Sequence, residues 1–263
     1  MEIKMKQIDA SAAIFDLRNF TDNFSFFSAK NDDRFNKFVE KICSAGNDLA
    51  LNISDEKDFY FNSTGDGFLI LFFSENHFIK CYLWGLLFNY FAKEECKKFC
   101  KITEKEMSFG IGIESGSVEQ IIIKDNPNPI YTYLGNVINV ASRIESTTKT
   151  FARTTLIIGD EINQLLVKEL YGINYQSGRR DAYNSYNEEN TNKKYNFLNE
   201  TNQKMLVNYI ARIILKGVNK PLSIYRLSPH FFKKNHKVFK RLINDLSKII
   251  GKENFVKDYL SKI

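Results

Sequence analysis

The stretch Asp58 to Phe73 (DFYFNSTGDGFLILFF) constrains the fold of this chain more than any other. Two apolar, β-rich runs flank Thr64-Gly65-Asp66-Gly67. Glycines on either side of an aspartate supply the positive φ angles of a tight turn, so the segment predicts a hairpin with Asp66 at its tip. A short apolar run upstream, Ser11 to Leu17 (SAAIFDL), predicts a buried strand that delivers the carboxylate of Asp16 to its end. A strand end and a hairpin tip are two places where an acid can leave a core and meet a ligand.

Helical periodicity surrounds these strands. Phe35, Phe38, Val39, Ile42 and Leu49 recur at helical spacing and predict an amphipathic helix over 33–53. A second long helix is expected over 76–99, with strands over 107–114 and 118–123. Next come a short helix over 135–147, a strand over 155–158 and a helix over 160–170 with Asp160 as its N-cap. Strands over 212–215 and 222–227 close the domain. Residues 172–208, rich in Asn, Tyr, Ser, Thr and Lys without stable periodicity, read as an insert or arm. This order predicts an α+β sandwich, with helices packed on a mainly antiparallel sheet, followed by a helical C-terminal tail. The expected domain spans 8–228 and the tail 229–263, within the 263 residues.

Charge is unevenly placed. Residues 229–263 hold nine Lys or Arg against three acids and so carry the whole net charge of +6, whereas 1–228 balance at 28 against 28. A neutral body lacks the phosphate-neutralising face of a nucleic-acid-binding domain, so no nucleic acid partner is expected. The tail reads as a basic amphipathic helix with Phe239, Leu242, Ile243, Leu246 and Ile249 on one stripe, docking on the domain or supporting a dimer. Four cysteines form no disulfide framework, and Cys96 and Cys100 have no partner at zinc-ligand spacing. No run is long enough to span a bilayer, and a cytoplasmic location is expected.

Asn139 and Arg143 lie four apart on one face of the short helix after Gly135, where a carboxamide and a guanidinium suit a developing phosphoryl charge. They could equally be a helix amide and a surface ion-pair partner. Three segments together are more specific. Phe15-Asp16-Leu17-Arg18-Asn19-Phe20-Thr21, then Thr64-Gly65-Asp66-Gly67-Phe68, then Gly135 to Glu145 (GNVINVASRIE) resemble, in order and spacing, the signature segments of class III nucleotidyl cyclase catalytic domains. Thr155 to Leu166 and Leu215 to Arg226 resemble that family's later strand-helix and closing hairpin.

The resemblance implies that Asp16 and Asp66, with the Leu17 carbonyl, hold two Mn²⁺ or Mg²⁺ ions. It implies that the backbone amides of Arg18, Asn19, Phe20 and Thr21 cradle the β- and γ-phosphates of a nucleoside triphosphate, as helix N-termini bind anions. Asn139 is expected to orient the ribose, Arg143 to bind the α-phosphate, and Lys216, or its neighbour Lys220, to meet the terminal phosphates. The family places these last groups on the partner protomer, so a homodimer with composite sites is expected.

The base-selecting positions depart from the family pattern. Adenylyl cyclases of this class place Lys four before the second metal Asp and Asp three before the Gly of the third segment; guanylyl cyclases use Glu and commonly Cys. Here Asn62 and Thr132 occupy those positions, an amide and a hydroxyl that can pair with a pyrimidine edge without charge. A lone cyclase domain with altered base positions resembles the pyrimidine cyclases of bacterial Pycsar anti-phage systems, whose cyclic UMP or cyclic CMP activates a separate effector. The expected activity is therefore a uridylate cyclase. The alternatives are a cytidylate or purine cyclase and, in another class, a non-catalytic nucleotide-binding regulatory module.

Overall fold

Strand β1 (Glu2–Arg18) is the axis of the molecule. In the computed structural model, which describes residues 2–124, 129–151, 155–171, 207–214, 221–227 and 237–262, it is flanked by β3 (Gly67–Phe73) and β4 (Ser108–Lys124), both antiparallel to it. With β2 (Phe59–Ser63), β5 (Ile130–Leu134), β6 (Leu156–Ile158), β7 (Val207–Ile213) and β8 (Leu222–Leu227) the sheet runs β2-β3-β1-β4-β6-β8-β7. Strand β5 pairs with β4 off this path. Every pairing is antiparallel except β4 with β6. This is the expected α+β architecture.

Alternation along β1 divides the core. Ala13, Phe15 and Leu17 face the larger cluster, which packs under α1 (Phe20–Ser28), α2 (Arg34–Ile53) and α3 (His77–Thr103). Ala10 and Ala12 face the opposite side, where α4 (Asn136–Thr147) lies with Val137 and Ala141 against the sheet. The abundance of Phe is spent in the larger cluster: Phe15 stacks on Phe68 at 4.8 Å, and Trp84 stacks on Phe88 at 4.8 Å while its indole N–H donates to the Gly46 carbonyl at 3.0 Å.

Several sequence expectations need correction. Strand β1 begins at Glu2 rather than Ser11, because its first half pairs residue by residue with the far half of β4, from Glu2 opposite Lys124 onward. The two strands expected over 107–114 and 118–123 are one strand, continuous through Ser115-Gly116-Ser117. The strand expected at 212 begins at Val207, so the last two positions assigned to the insert belong to β7; the rest of 172–206, and Leu215, lie outside the described residues. At the start of helix α5 (Asp160–Tyr171) the distant Glu114, which the sequence did not point to, accepts from the N–H groups of Asp160 and Ile162 at 3.1 Å each.

The tail forms α6 (Lys237–Ile249) and α7 (Glu253–Lys262). Phe239, Leu242, Ile243 and Leu246 are buried in the larger cluster, and the Phe239 ring lies 6.4 Å from that of Tyr90 on α3. The stripe thus docks on its own domain. All four cysteines are free; the Cys100 thiol meets the backbone of Met107, accepting from its N–H at 3.2 Å. Among the described residues no helix is long and apolar enough to cross a membrane.

Candidate active site

The hairpin of β2 and β3 reaches the end of β1 as its sequence requires. Gly65 takes φ 95°, the left-handed conformation that favours glycine, and the Thr64 N–H donates to the Gly67 carbonyl at 2.8 Å. Gly67 does not share that conformation; it is needed for proximity, since a Cβ there would lie 2.1 Å from the Phe15 carbonyl oxygen. The tip is fastened by a bond from the Leu17 N–H to the Asp66 carbonyl at 2.9 Å. Asp16, opposite Gly67 in register, is thereby brought beside Asp66.

The chain then turns sharply at Asn19, φ 61°, into α1. The Asn23 side-chain amide braces this turn, donating to the Asn19 carbonyl at 2.8 Å and to the Glu106 carbonyl at 3.1 Å. The first intrahelical bond is made by the Asn23 N–H to Asn19 at 3.1 Å, which leaves the earlier amides of the first turn available, as at any helix N-terminus. Asp16, Leu17, Arg18, Asn19, Phe20, Thr21 and Asp66, all singled out by the sequence, line one open cleft of about 450 Å³. Asp22 and Lys149 complete its lining.

Burial raises the Asp16 carboxyl above its ordinary pKa, and the charge of Asp66 adds to that; Lys149 and Arg18 pull it back down. Lys149 Nζ lies 3.8 Å from Asp16 Oδ2. Behind Asp16 is a second layer. Glu145 on α4 is 3% exposed, its Oε1 has no hydrogen-bond partner, and burial together with Asp16 raises its pKa. It rests over Gly110 of β4, the residue opposite Asp16, where a Cβ would come within 2.1 Å of that oxygen. Arg18 turns toward the same layer and donates to the Thr148 hydroxyl.

This arrangement fits a divalent cation of the Mg²⁺ type. Two carboxylates meet in the cleft with only partial compensation of charge, and among the described residues no group of three or more His, Cys, Asp or Glu forms a closed protein cage. Magnesium characteristically takes one or two carboxylates and completes its shell with water and substrate phosphate oxygens.

Asn139 and Arg143 do not line this cleft. They lie on α4 away from its buried Val137, Val140, Ala141 and Ile144, Asn139 exposed and Arg143 half-buried. Asn62 on β2 and Thr132 on β5 do not line it either. Tyr60, two residues before Asn62, has its ring 4.8 Å from that of Tyr133, the residue after Thr132, and strand alternation turns Thr132 to the face opposite Tyr133. Lys216 and Lys220 lie outside the described residues. Sequence reasoning missed Lys149 and Glu145. The available signal was helical phase, since the end of α4 must fall beside β1 once Ala141 packs on β4.

Comparison with known proteins agrees with this fold. The adenylate and guanylate cyclase catalytic domain profile matches residues 5–178, and the chain belongs to that family. The fold is similar to that of the adenylyl cyclase CyaB from P. aeruginosa, with a TM-score of 0.60 and 14% identity over 85% of this chain and 95% of that one. It is similar to the guanylate cyclase domain of RhGC from Catenaria anguillulae in complex with GTP, at 0.56 and 19% over 85% and 98%. It is also similar to the catalytic core of a rhodopsin-guanylyl cyclase with converted specificity in complex with ATPαS, at 0.55 and 19% over 84% and 97%. No curated relative matches in a sequence comparison.

Proposed function

We propose that this nucleotide cyclase domain converts UTP, in preference to other nucleoside triphosphates, to 3′,5′-cyclic UMP and pyrophosphate. The observation that carries the chemistry is the convergence of Asp16 and Asp66 on one cleft floored by the first turn of α1. Asp16, Asp66 and the Leu17 carbonyl hold two Mn²⁺ or Mg²⁺ ions. When bound, these ions lower the pKa of the ribose 3′-hydroxyl and neutralise charge on the triphosphate. The amides of Arg18 to Thr21 bind the β- and γ-phosphates and align them for departure. Asn139 orients the ribose, and Arg143 holds the α-phosphate oxygens as charge shifts across them. Lys216 meets the terminal phosphates. The 3′-oxygen bonds to the α-phosphorus as the bond to the bridging oxygen breaks; pyrophosphate leaves with that electron pair, and the hydroxyl proton passes to solvent.

Asn139 and Arg143 do not line the cleft of their own chain; in this reading a second copy supplies them, and the functional unit is a homodimer with composite sites. The preference for uracil rests on Asn62 and Thr132, which offer an amide and a hydroxyl where purine cyclases of the class place charged groups. That a solved guanylyl cyclase relative has converted specificity supports treating base choice as separable from the fold. The resemblance to Pycsar enzymes extends the proposal to anti-phage defence, the cyclic nucleotide acting on a separate effector.

The test is incubation of the purified protein with Mn²⁺ and each of the four labelled triphosphates. Cyclic UMP as the main product, with CTP second, is expected. Product chiefly from ATP or GTP overturns the base assignment; a protein that binds nucleotide and releases no cyclic product from any of them is the regulatory module instead.

A further inference from the structure

The cleft contains a cation that neither the sequence motifs nor the reaction above has used. Lys149 follows α4 in a helix-terminal turn, with its N–H toward the Ser146 carbonyl at 3.4 Å, and its ammonium head reaches across to Asp16. A helix C-terminus favours positive charge there. At 3.8 Å, with the lysine side chain 55% exposed, the pair is loose and solvent-screened, so its partner is easily exchanged. Arg18, the other cation of the lining, also acts on Asp16 but is anchored by its bond to the Thr148 hydroxyl and by the charge of Glu145. Among the described residues of the lining, Lys149 is therefore the more movable positive charge.

We infer that Lys149 is a resident counter-cation of the carboxylate pair, displaced by divalent metal and thereby turned onto the polyphosphate of the substrate. The inference rests on the proposed metal role of Asp16. Asp16 is part-buried beside Asp66 and Glu145, and Lys149 with Arg18 supplies compensating charge. A dication bound by Asp16 repels the ammonium group. The flexible four-carbon stem of lysine lets that group swing while its backbone stays fixed. The phosphates lying over the α1 amides are the strongest anion within the same lining, so they receive it. Lysine suits this exchange better than arginine, because a compact point charge gives up one oxygen partner for another without a planar geometry to satisfy.

Such an exchange gives Lys149 opposite effects on the two ligands, which a residue of merely structural importance would not. The full chain, as wild type, Lys149→Ala, Lys149→Arg and Asp16→Asn, is titrated with Mn²⁺ alone by electron paramagnetic resonance of the free ion. It is then titrated with inorganic tripolyphosphate at saturating Mn²⁺ by calorimetry. Lys149→Ala is expected to bind Mn²⁺ alone about 3- to 10-fold more tightly and tripolyphosphate about 10-fold more weakly, with both effects shrinking at high salt. Lys149→Arg is expected to restore tripolyphosphate binding in part, since it keeps the charge but not the compact head. Unchanged or weaker Mn²⁺ binding by Lys149→Ala, or unchanged tripolyphosphate binding, overturns the inference. Asp16→Asn separates the two levels: if it binds Mn²⁺ as well as wild type, the metal assignment of Asp16 fails as well, whatever Lys149 does.

Discussion

At the scale of single residues, the cleft depends on two carboxylates that strand geometry forces together. Asp16 is held by its register opposite Gly67, and Asp66 by the bond from the Leu17 amide to its carbonyl. Neither side chain is needed for those backbone contacts. Asp16→Asn and Asp66→Asn should therefore leave the thermal midpoint within a few degrees of wild type while lowering cyclase activity on the order of 10²-fold or more, because each removes an anionic metal ligand. Activity measured beside a melting curve checks this. A variant that keeps its activity removes that acid from the proposed metal site. These residues were legible in the sequence because turn chemistry and strand ends are local. Lys149 and Glu145 were not, since their relation to Asp16 depends on how α4 crosses β4.

At the scale of elements, that crossing is set by two small positions. A Cβ on Gly112 would lie 2.2 Å from the Ala141 carbonyl oxygen and the Glu145 amide nitrogen, so α4 approaches β4 as closely as the backbone allows. The same close packing brings Glu145 over Gly110 and Lys149 beside Asp16. Most helices were legible from their periodicity, which reports a buried face directly. The first half of β1 was not. Its side chains gain little burial, and its pairing with β4 is carried by backbone hydrogen bonds that leave no compositional mark.

The cap of α5 was hidden for a different reason, because Glu114 is distant in sequence from the helix it caps. Burial pushes the Glu114 carboxyl up to about 7, prevailing over the N–H groups of Ser115, Asp160 and Ile162 that favour its charged form. The folded chain thus holds a proton that the unfolded chain, with a carboxyl near 4.5, has released. Stability from this group is full below pH 4.5 and is lost as pH rises through 7, by about 3 kcal/mol in all. Urea denaturation at pH 5 and pH 7.5 should show most of that loss in wild type and a flatter dependence in Glu114→Gln. Equal pH dependence in the two proteins refutes the assignment.

At the scale of the whole molecule, the tail belongs to the domain it follows. Phe239, Leu242, Ile243 and Leu246 fill part of the main cluster, so removing 237–262 should lower the thermal midpoint by roughly 10 °C or more, through exposure of the surface they cover on α3. An unchanged midpoint in calorimetry contradicts that role. In the proposed composite site, the acids of one cleft act with Asn139 and Arg143 of another chain. Asp66→Ala and Arg143→Ala homodimers each lack one component in both sites and should be nearly inactive. In a mixed dimer one site collects both defects and the other is complete. Random exchange of equal amounts makes half the dimers mixed, each with one good site, so activity should recover to about a quarter of wild type. The decisive measurement is cyclic nucleotide formation after verified subunit exchange between the two folded, dimeric variants. Recovery to about a quarter is the result the composite site predicts, and continued inactivity would contradict it by placing the whole site within one chain.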